Sequence, residues 1–545
     1  MSASRVIWGT WGVLFAAGVV FVSVYGRNCP YMDEWAMLPT LVGDVDPLGW
    51  AWEAHGEHRY PLGRLVFLGL FRAFGDLRAA MFLSLILLAA TSAQLIRTAR
   101  QFRGRTSFAD AFFPLAFLHA GHWENLLMSY QVCFTLTVAL MAVFVSVAAT
   151  GARTRRDTAA VLAVVALPLC GAAGLPFGVS GAAWLFWISI PERRRNFGRA
   201  AVAMVGAVVT TLLILVIVVT HAGPANSPPR TVEALLGFFA RLTGATFGPA
   251  AEILWPVFAT GMLVIAAAIA WRASTLWRSP QRTEVIGFSA VFVAGLGLAL
   301  GLTWGRAWTG PEAAFTSRYS ILMAMTGAAV FLACVRIGTP RVAKAGPAVM
   351  AAFALAAWPL NLAAGVSNAS RINEHVDGIA ADYRDGLPAS LIGERYDWQL
   401  LVNHPWIALD LDNAARLGFP PFRQRNEVRT VTSIPLAASP DTRSLDLPFV
   451  PDLLAVRVRG KFVPSTVGMA DYRVRWQDAD SGQWHEERFQ VVRIMPFAVV
   501  IRVSGTPLRV EIRPDRGPDD YEVIGVDLVV GQRAESSSTA SAGSR

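Results

Sequence analysis

Apolar runs of about twenty residues, one after another, fill most of the first 365 residues of this sequence. A run of that length crosses the hydrocarbon core of a bilayer as a single helix. The runs fall at 6–25, 79–96, 107–120, 131–149, 158–173, 175–190, 200–220, 254–271, 284–304, 317–335 and 346–365. They predict about eleven transmembrane helices. The chain has 545 residues, 54% hydrophobic and 16% charged, where a soluble domain carries about 25% charged residues. That balance excludes a disordered chain, a disulfide scaffold and a simple soluble enzyme. The net charge of +9 does not point to nucleic acid, because much of the arginine sits in short loops between spans.

Those loops set the predicted topology. Arg97–Arg105, Arg153–Arg156, Arg193–Arg199, Arg272–Arg282 and Arg336–Lys344 are short and basic, and they alternate with acidic or mixed loops. Cytoplasmic loops retain Lys and Arg. The expected arrangement is a multi-pass protein of the cytoplasmic membrane, amino end inside and carboxyl end outside. The first span has no small-residue cleavage site after it and reads as a retained anchor. Of the four cysteines, Cys133, Cys170 and Cys334 fall in predicted spans and only Cys29 lies outside. They read as core thiols, with no metal spacing. All eight histidines (His55, His58, His119, His122, His221, His375, His404 and His485) fall outside or at the outer rim, which directs attention to that face.

The composition divides the chain. Residues 1–365 form a transmembrane domain with a long first extracytoplasmic loop at 26–78, and 366–428 form a polar helical connection. From 429 to 535 the period becomes two: Leu454, Val456 and Val458 alternate with Arg457 and Arg459, then Tyr472, Val474 and Trp476 with Arg473 and Arg475, then Leu508, Val510 and Ile512 with Arg509 and Glu511. Short alternating strands between Pro, Gly and Asp turns predict an antiparallel β-sandwich. Its outward arginines read as a solvated face or as a surface for an anionic polymer or lipid head groups. Trp484 and Tyr521 read as core residues or as sugar-stacking platforms. Residues 536–545 are a low-complexity tail expected to be disordered.

The first outer loop is too long and too charged for a plain connector. Segments 34–42 and 62–74 have the pattern of amphipathic interfacial helices. Asp33 and Glu34 follow closely on the first span. Under a partly apolar lid, such a carboxylate can serve as a general base; equally, Asp33 precedes an apolar helical run and suits an N-cap. His55, Glu57, His58 and Arg59 crowd into five residues. His58 and Arg59 suit a phosphate, and His55, Glu57 and His58 are a weaker set for a divalent metal.

Two more polar clusters interrupt the apolar pattern. One contains His119, His122, Trp123, Glu124 and Asn125, followed by Ser129, Tyr130 and Gln131. Ionisable residues at membrane depth are costly and mark function: Glu124 suits a substrate hydroxyl and Trp123 a sugar ring, although interfacial anchors and a helix cap fit as well. The other contains Arg306 and then Ser317, Arg318 and Tyr319. An arginine at a helix N-terminus meets the positive end of the helix dipole. A phosphate or a carboxylate such as Glu312 would relieve it.

No Gly-rich nucleotide loop or Walker motif occurs, so a donor already activated in the membrane fits better than ATP or a nucleotide sugar. The ordered set MDEW, HGEHR, HWENLLMSYQ and SRY resembles the GT-C superfamily of membrane glycosyltransferases over about two-thirds of the chain. That resemblance implies an extracytoplasmic enzyme of the cell envelope that uses a polyprenyl-phosphate sugar donor and a glycan or lipid-linked acceptor. It implies inversion at the anomeric carbon, with Asp33 as base and Glu34 beside it. Arg318, Arg59, His58 and Arg306 would hold the donor phosphate, and Glu57, His55, Glu124, His122, Trp123 and Tyr319 the sugars. The β-rich tail resembles a carbohydrate-binding module. Apart from Asp44-Val45-Asp46 the first loop lacks an Asp-x-Asp pair, so no cofactor is expected and a divalent metal stays open. The rival readings are a flippase or transporter, which would need polar residues along a path through the bilayer, a polymerase or ligase of lipid-linked saccharides, and a non-catalytic assembly protein.

Overall fold

The computed structural model describes residues 2–55, 58–150, 157–194, 196–220, 231–396, 400, 406–428, 430–436, 444–447, 453–462, 469–478, 481–492, 497–503, 507–514 and 521–532. Glu57, His221, His404 and the tail 536–545 lie outside the described residues, as do the side chains of Tyr472, Leu508, Ile512 and Tyr521. The chain forms two compact units: Met1–Pro30 with Gly43–Asn373, and Tyr31–Val42 with Glu374–Arg545.

The first unit is a helical membrane bundle. Among the described residues, nine helices are long and apolar enough to cross a bilayer: Ala3–Tyr25, Arg78–Arg103, Ser129–Thr150, Ala172–Glu192, Phe197–Val219, Pro249–Leu276, Arg282–Thr309, Ser317–Ile337 and Pro340–Arg384. The chain is a multi-pass membrane protein. The expected count of about eleven is corrected at two places. Residues 107–120 form a 3-10 turn at Phe108–Ala111 and a six-residue helix, Phe112–Phe117, whose side chains are all buried. At about 1.5 Å per residue that helix is far too short to span. Residues 158–173 break after the helix Asp157–Ala166, where Pro168 lies in a 3-10 turn and Gly171 adopts φ 109°. A buried apolar segment and a membrane span look alike to hydropathy; only length separates them.

Ser317–Ile337 is the most enclosed of the nine, with 83% of its apolar window buried. Phe331 on it packs against Phe112 and Phe113, at centroid distances of 5.5 and 4.6 Å. Lipid is as apolar as leucine, so bundle helices associate through close packing and polar contacts between helices. Both occur here. A Cβ on Gly287 would collide with the carbonyl oxygen of Ala148, so these two helices meet backbone to backbone. The Thr98 hydroxyl reaches Ser146 at 3.1 Å, and Thr135 reaches Ser84 at 3.1 Å. Outer helices instead show apolar side chains to lipid, as Phe197–Val219 does with Val205, Leu212 and Leu215. All four cysteines are buried, and none forms a disulfide.

Among the described residues the second unit contains eight strands in two four-stranded antiparallel sheets. These are β1 (Thr430–Leu436), β2 (Ser444–Asp446), β3 (Leu453–Phe462), β4 (Met469–Asp478), β5 (Trp484–Val492), β6 (Phe497–Arg502), β7 (Pro507–Pro514) and β8 (Tyr521–Gln532). One sheet runs β1-β8-β3-β6 and the other β2-β7-β4-β5. Val456, Val458, Ile501 and Leu528 of the first sheet meet Val474 and Val510 of the second in a shared core. The first sheet is buried on its other face too, where Ala455, Val500 and Val529 pack against Leu391 of the helix Ala389–Arg395. This face shows why the β3 arginines are not simply solvated. Arg457 pairs with Glu394 at 2.7 Å and Arg459 with Asp527 at 3.3 Å.

The helix that begins at Pro340 does not stop near 365; it runs unbroken to Arg384, and from Glu374 its residues belong to the second unit. There Asp382, 1% exposed, gathers three donors: Arg395 at 3.1 Å, the Tyr396 hydroxyl at 3.1 Å, and Arg502 of β6. Arg502 also donates to Asp385, and Arg395 to Glu487 of β5 at 3.0 Å. The network fastens two strands to the last turns of the helix. Removing one partner of a buried ion network leaves uncompensated charge, at about 3 kcal/mol or more. Asp382→Ala is expected to lower the unfolding temperature of the second unit and expose it to protease, as read by limited proteolysis, while Asp446→Ala, on the exposed edge, is expected to leave both unchanged.

Candidate functional site

The segment Tyr31–Val42 lies in the loop after the first span by sequence but in the second unit by packing. Segment 34–42 is not one amphipathic helix: a 3-10 turn, Met32–Met37, leads into a short helix, Leu38–Val42. The turn starts with Met32 at φ 51°, a left-handed conformation that non-glycine residues rarely adopt. Glu34 then folds back and its carboxylate accepts the Tyr31 amide at 3.0 Å. That satisfies a donor which a helix start leaves orphaned. The capping carboxylate is therefore Glu34, 1% exposed, while Asp33 is half-buried. Trp35 is fully buried, its ring edge-on to Phe422 at 5.7 Å, and Phe422 meets Tyr383 at 5.2 Å. The Tyr31 hydroxyl lies 3.5 Å from Nδ1 of His375.

The remaining first-loop candidates belong to the membrane unit. Asp46 caps the helix Pro47–Trp52 by accepting the Gly49 amide at 2.6 Å, so half of the Asp44-Val45-Asp46 pair is committed. His55 and His58 face each other across a tight backbone bridge, His55 N–H to His58 C=O at 2.7 Å and the reverse at 3.1 Å. Their rings enter an aromatic group: His55 on Tyr130 at 5.6 Å, His58 on Tyr60 at 6.0 Å, and Tyr60 on Tyr130 at 5.8 Å. Arg59 donates to the carbonyls of Trp52 and, at 2.9 Å, Thr220. Sequence reasoning missed Arg64, on the helix Pro61–Phe74. It is 3% exposed, donates to the carbonyls of Trp50 and, at 2.9 Å, Glu53, and lies over the Trp50 ring at 4.8 Å. Its helical position gave no sign that it points inward.

The structure brings the two other clusters together. Glu124, 5% exposed, accepts the Arg318 amide at 2.9 Å. The Ser317 hydroxyl donates to the Gly121 carbonyl at 2.9 Å, and Asn125 donates to the Ser317 carbonyl at 3.2 Å. The negative side chain thus stabilises the positive end of the helix Ser317–Ile337. Glu124, rather than Glu312, meets the backbone of that helix end. Arg318 itself is half-buried, its guanidinium 5.6 Å from the centroid of the Tyr319 ring. Tyr319 is 6% exposed in an apolar cluster with Phe238, Leu242 and Met323. Arg306 ends the helix Arg282–Arg306 and is half-buried, and Trp123 is half-buried. The catalytic candidates Asp33 and Glu34 belong to the second unit, and the phosphate candidate Arg318 belongs to the first. A groove lined by Val179, Phe186, Val208, Leu212 and Ile214 is apolar and includes none of these residues.

His119 and His122 stack at 4.0 Å. His122 Nε2 lies 2.9 Å from the Ala116 carbonyl, which can only accept, so Nε2 carries the proton. Burial pushes the His122 imidazole down to about 4 and that of His119 well below its ordinary value. The unfolded chain takes up these protons near pH 6.5, so stability is complete above that pH and falls as pH drops toward 4. Over that window His122 alone accounts for about 3 kcal/mol. Thermal unfolding in detergent is expected to lose stability between pH 6.5 and 4, and His122→Gln, which keeps a donor for Ala116, is expected to flatten part of that slope. An unchanged slope would refute the assignment.

No family model matches the chain, and no curated protein matches it. Among solved structures it is similar to the arabinosyltransferase EmbB from Mycobacterium smegmatis, with a TM-score of 0.27 and 13% identity, over 96% of this chain and 64% of that one. The chain thus spans less than two thirds of that enzyme's length.

Proposed function

We propose that this protein is a membrane glycosyltransferase of the GT-C type. It transfers a sugar from a polyprenyl-phosphate donor to an acceptor hydroxyl of a glycan or lipid-linked glycan, on the outer face of the cytoplasmic membrane. Asp33 removes the hydroxyl proton as the oxygen attacks the anomeric carbon. The bond from that carbon to the phosphate oxygen breaks, configuration inverts, and polyprenyl phosphate departs. The observation that carries this reading is the division of labour in the acidic turn after the first span: Glu34 is buried in the cap, and Asp33 keeps contact with solvent.

The bonding of the other candidates narrows their roles within the proposal. Arg318, Arg59, His58 and Arg306 meet the leaving phosphate in this proposal, Arg59 from a guanidinium already steadied by backbone carbonyls. Fixed cations stabilise charge that develops in the transition state. Glu124 and His122 position the start of the Ser317–Ile337 helix, and Trp123 and His55 are assigned to the sugar.

Transfer of radiolabel from a panel of polyprenyl-phosphate pentoses and hexoses tests it. Asp33→Asn is expected to lower turnover by about 10²–10⁴-fold, and normal turnover would overturn the base. Arg318→Ala is expected to lower kcat with the same donor by about 10²-fold, and unchanged donor kinetics would reject the phosphate role. Turnover is expected to survive chelator.

A further inference from the structure

We propose that Trp35 and Phe422 are positioning residues for Asp33, so that the C-terminal unit helps build the catalytic turn and is more than an appended glycan-binding module. The inference rests on the reading of Asp33 as base. Three observations carry it. First, Tyr31–Val42 groups with Glu374–Arg545, although the chain on both sides of it belongs to the membrane unit. Second, the anchor is a continuous stack. Trp35 is 0% exposed and meets Phe422, which is 1% exposed in the turn Pro420–Phe422. Phe422 meets Tyr383 near the end of the long helix, and Arg425 lies over the Tyr383 ring at 4.6 Å. Met37 and Leu38 are fully buried in the same segment. Third, the residue before Asp33 holds φ 51°. A non-glycine residue stays in that region only where its surroundings over-determine it.

These observations fit one mechanism. Asp33 sits between a strained residue and a capped glutamate, two positions before the buried indole. Burial of Trp35 fixes the turn, and the turn fixes the direction of the carboxylate. Without the anchor, Met32 relaxes and the carboxylate moves. A displacement of about 1 Å at a reacting group costs on the order of 10²-fold in rate. The contact that sets the rate would then lie in a part of the chain that touches no substrate.

The test uses the full-length protein in nanodiscs, with hydrogen exchange of the 31–42 amides and steady-state kinetics with whichever polyprenyl-phosphate sugar of the panel the wild type turns over. Phe422→Ala is expected to speed exchange across 31–42 and lower kcat by about 10²-fold with little change in donor KM. Phe422→Leu, which keeps apolar volume, is expected to restore most of both, and this separates positioning from loss of fold. Asp33→Asn is expected to lose turnover with slow exchange intact. If Phe422→Ala leaves the exchange of 31–42 unchanged, the clamp is wrong. If it frees the segment while kcat holds and Asp33→Asn is inactive, the positioning role is overturned and the base survives. If Asp33→Asn stays active, the base fails, and with it the role assigned to the clamp, whatever the exchange shows.

Discussion

The start of the helix Ser317–Ile337 is the junction on which the membrane unit depends. A helix end buried in an apolar bundle presents amides with no partner, and water is not there to supply one. Glu124 takes the amide of Arg318, and the backbone around Ser317 is tied to Gly121 and Asn125. A carboxylate in a partly buried helix-dipole position contributes up to about 2 kcal/mol. The same helix carries the aromatic packing of Phe331 on Phe112 and Phe113. It also presents Ser320 to His122 at 3.4 Å. Polar chemistry at the rim and apolar packing at depth are therefore two ends of one element, and a change at Glu124 reaches both.

The second unit answers a different problem, namely how a loop outside the bundle keeps one shape. A loop with few buried apolar groups samples many conformations. The acidic segment avoids this by giving Trp35, Met37 and Leu38 to a core that is not that of its flanking helices. The ion network at Asp382 then holds that core together from the helix side, because it joins the Pro340–Arg384 helix to β5 and β6. A strained Met32 is affordable only inside such a frame.

Much of this was legible from sequence because it is local. The apolar runs, the basic loops and the period-two strands each report on neighbours a few residues away, and the bundle and the two sheets follow from them. What was illegible is either a break or a long-range contact. Residues 107–120 and 158–173 are apolar enough to pass for spans, and only the turns at Phe108–Ala111 and Leu167–Cys170 show that they are not. The motifs around Glu124 and Arg318 were each visible, but their hydrogen bond joins residues 194 apart. Trp35 belongs with Phe422, and nothing in the pattern near either residue names the other. Arg64 hid because an arginine on an amphipathic helix reads as a surface residue until its carbonyl partners are known.

The adjacent carboxylates show how geometry can assign roles that composition leaves equal. In a 3-10 turn three residues complete a revolution, so neighbours point about 120° apart. Only one of Asp33 and Glu34 can face the amide at the start of the turn. Glu34 stands three residues after Tyr31 and faces it, which is the spacing of a capping box. The longer side chain therefore does the structural work that the shorter one was expected to do, and Asp33 stays half-buried. Had the order been reversed, the half-buried acid would have been the longer and more flexible one, with more rotamer freedom to lose on being held in place. The shorter carboxylate thus stands on a turn that begins at a left-handed residue and is anchored by the buried Trp35.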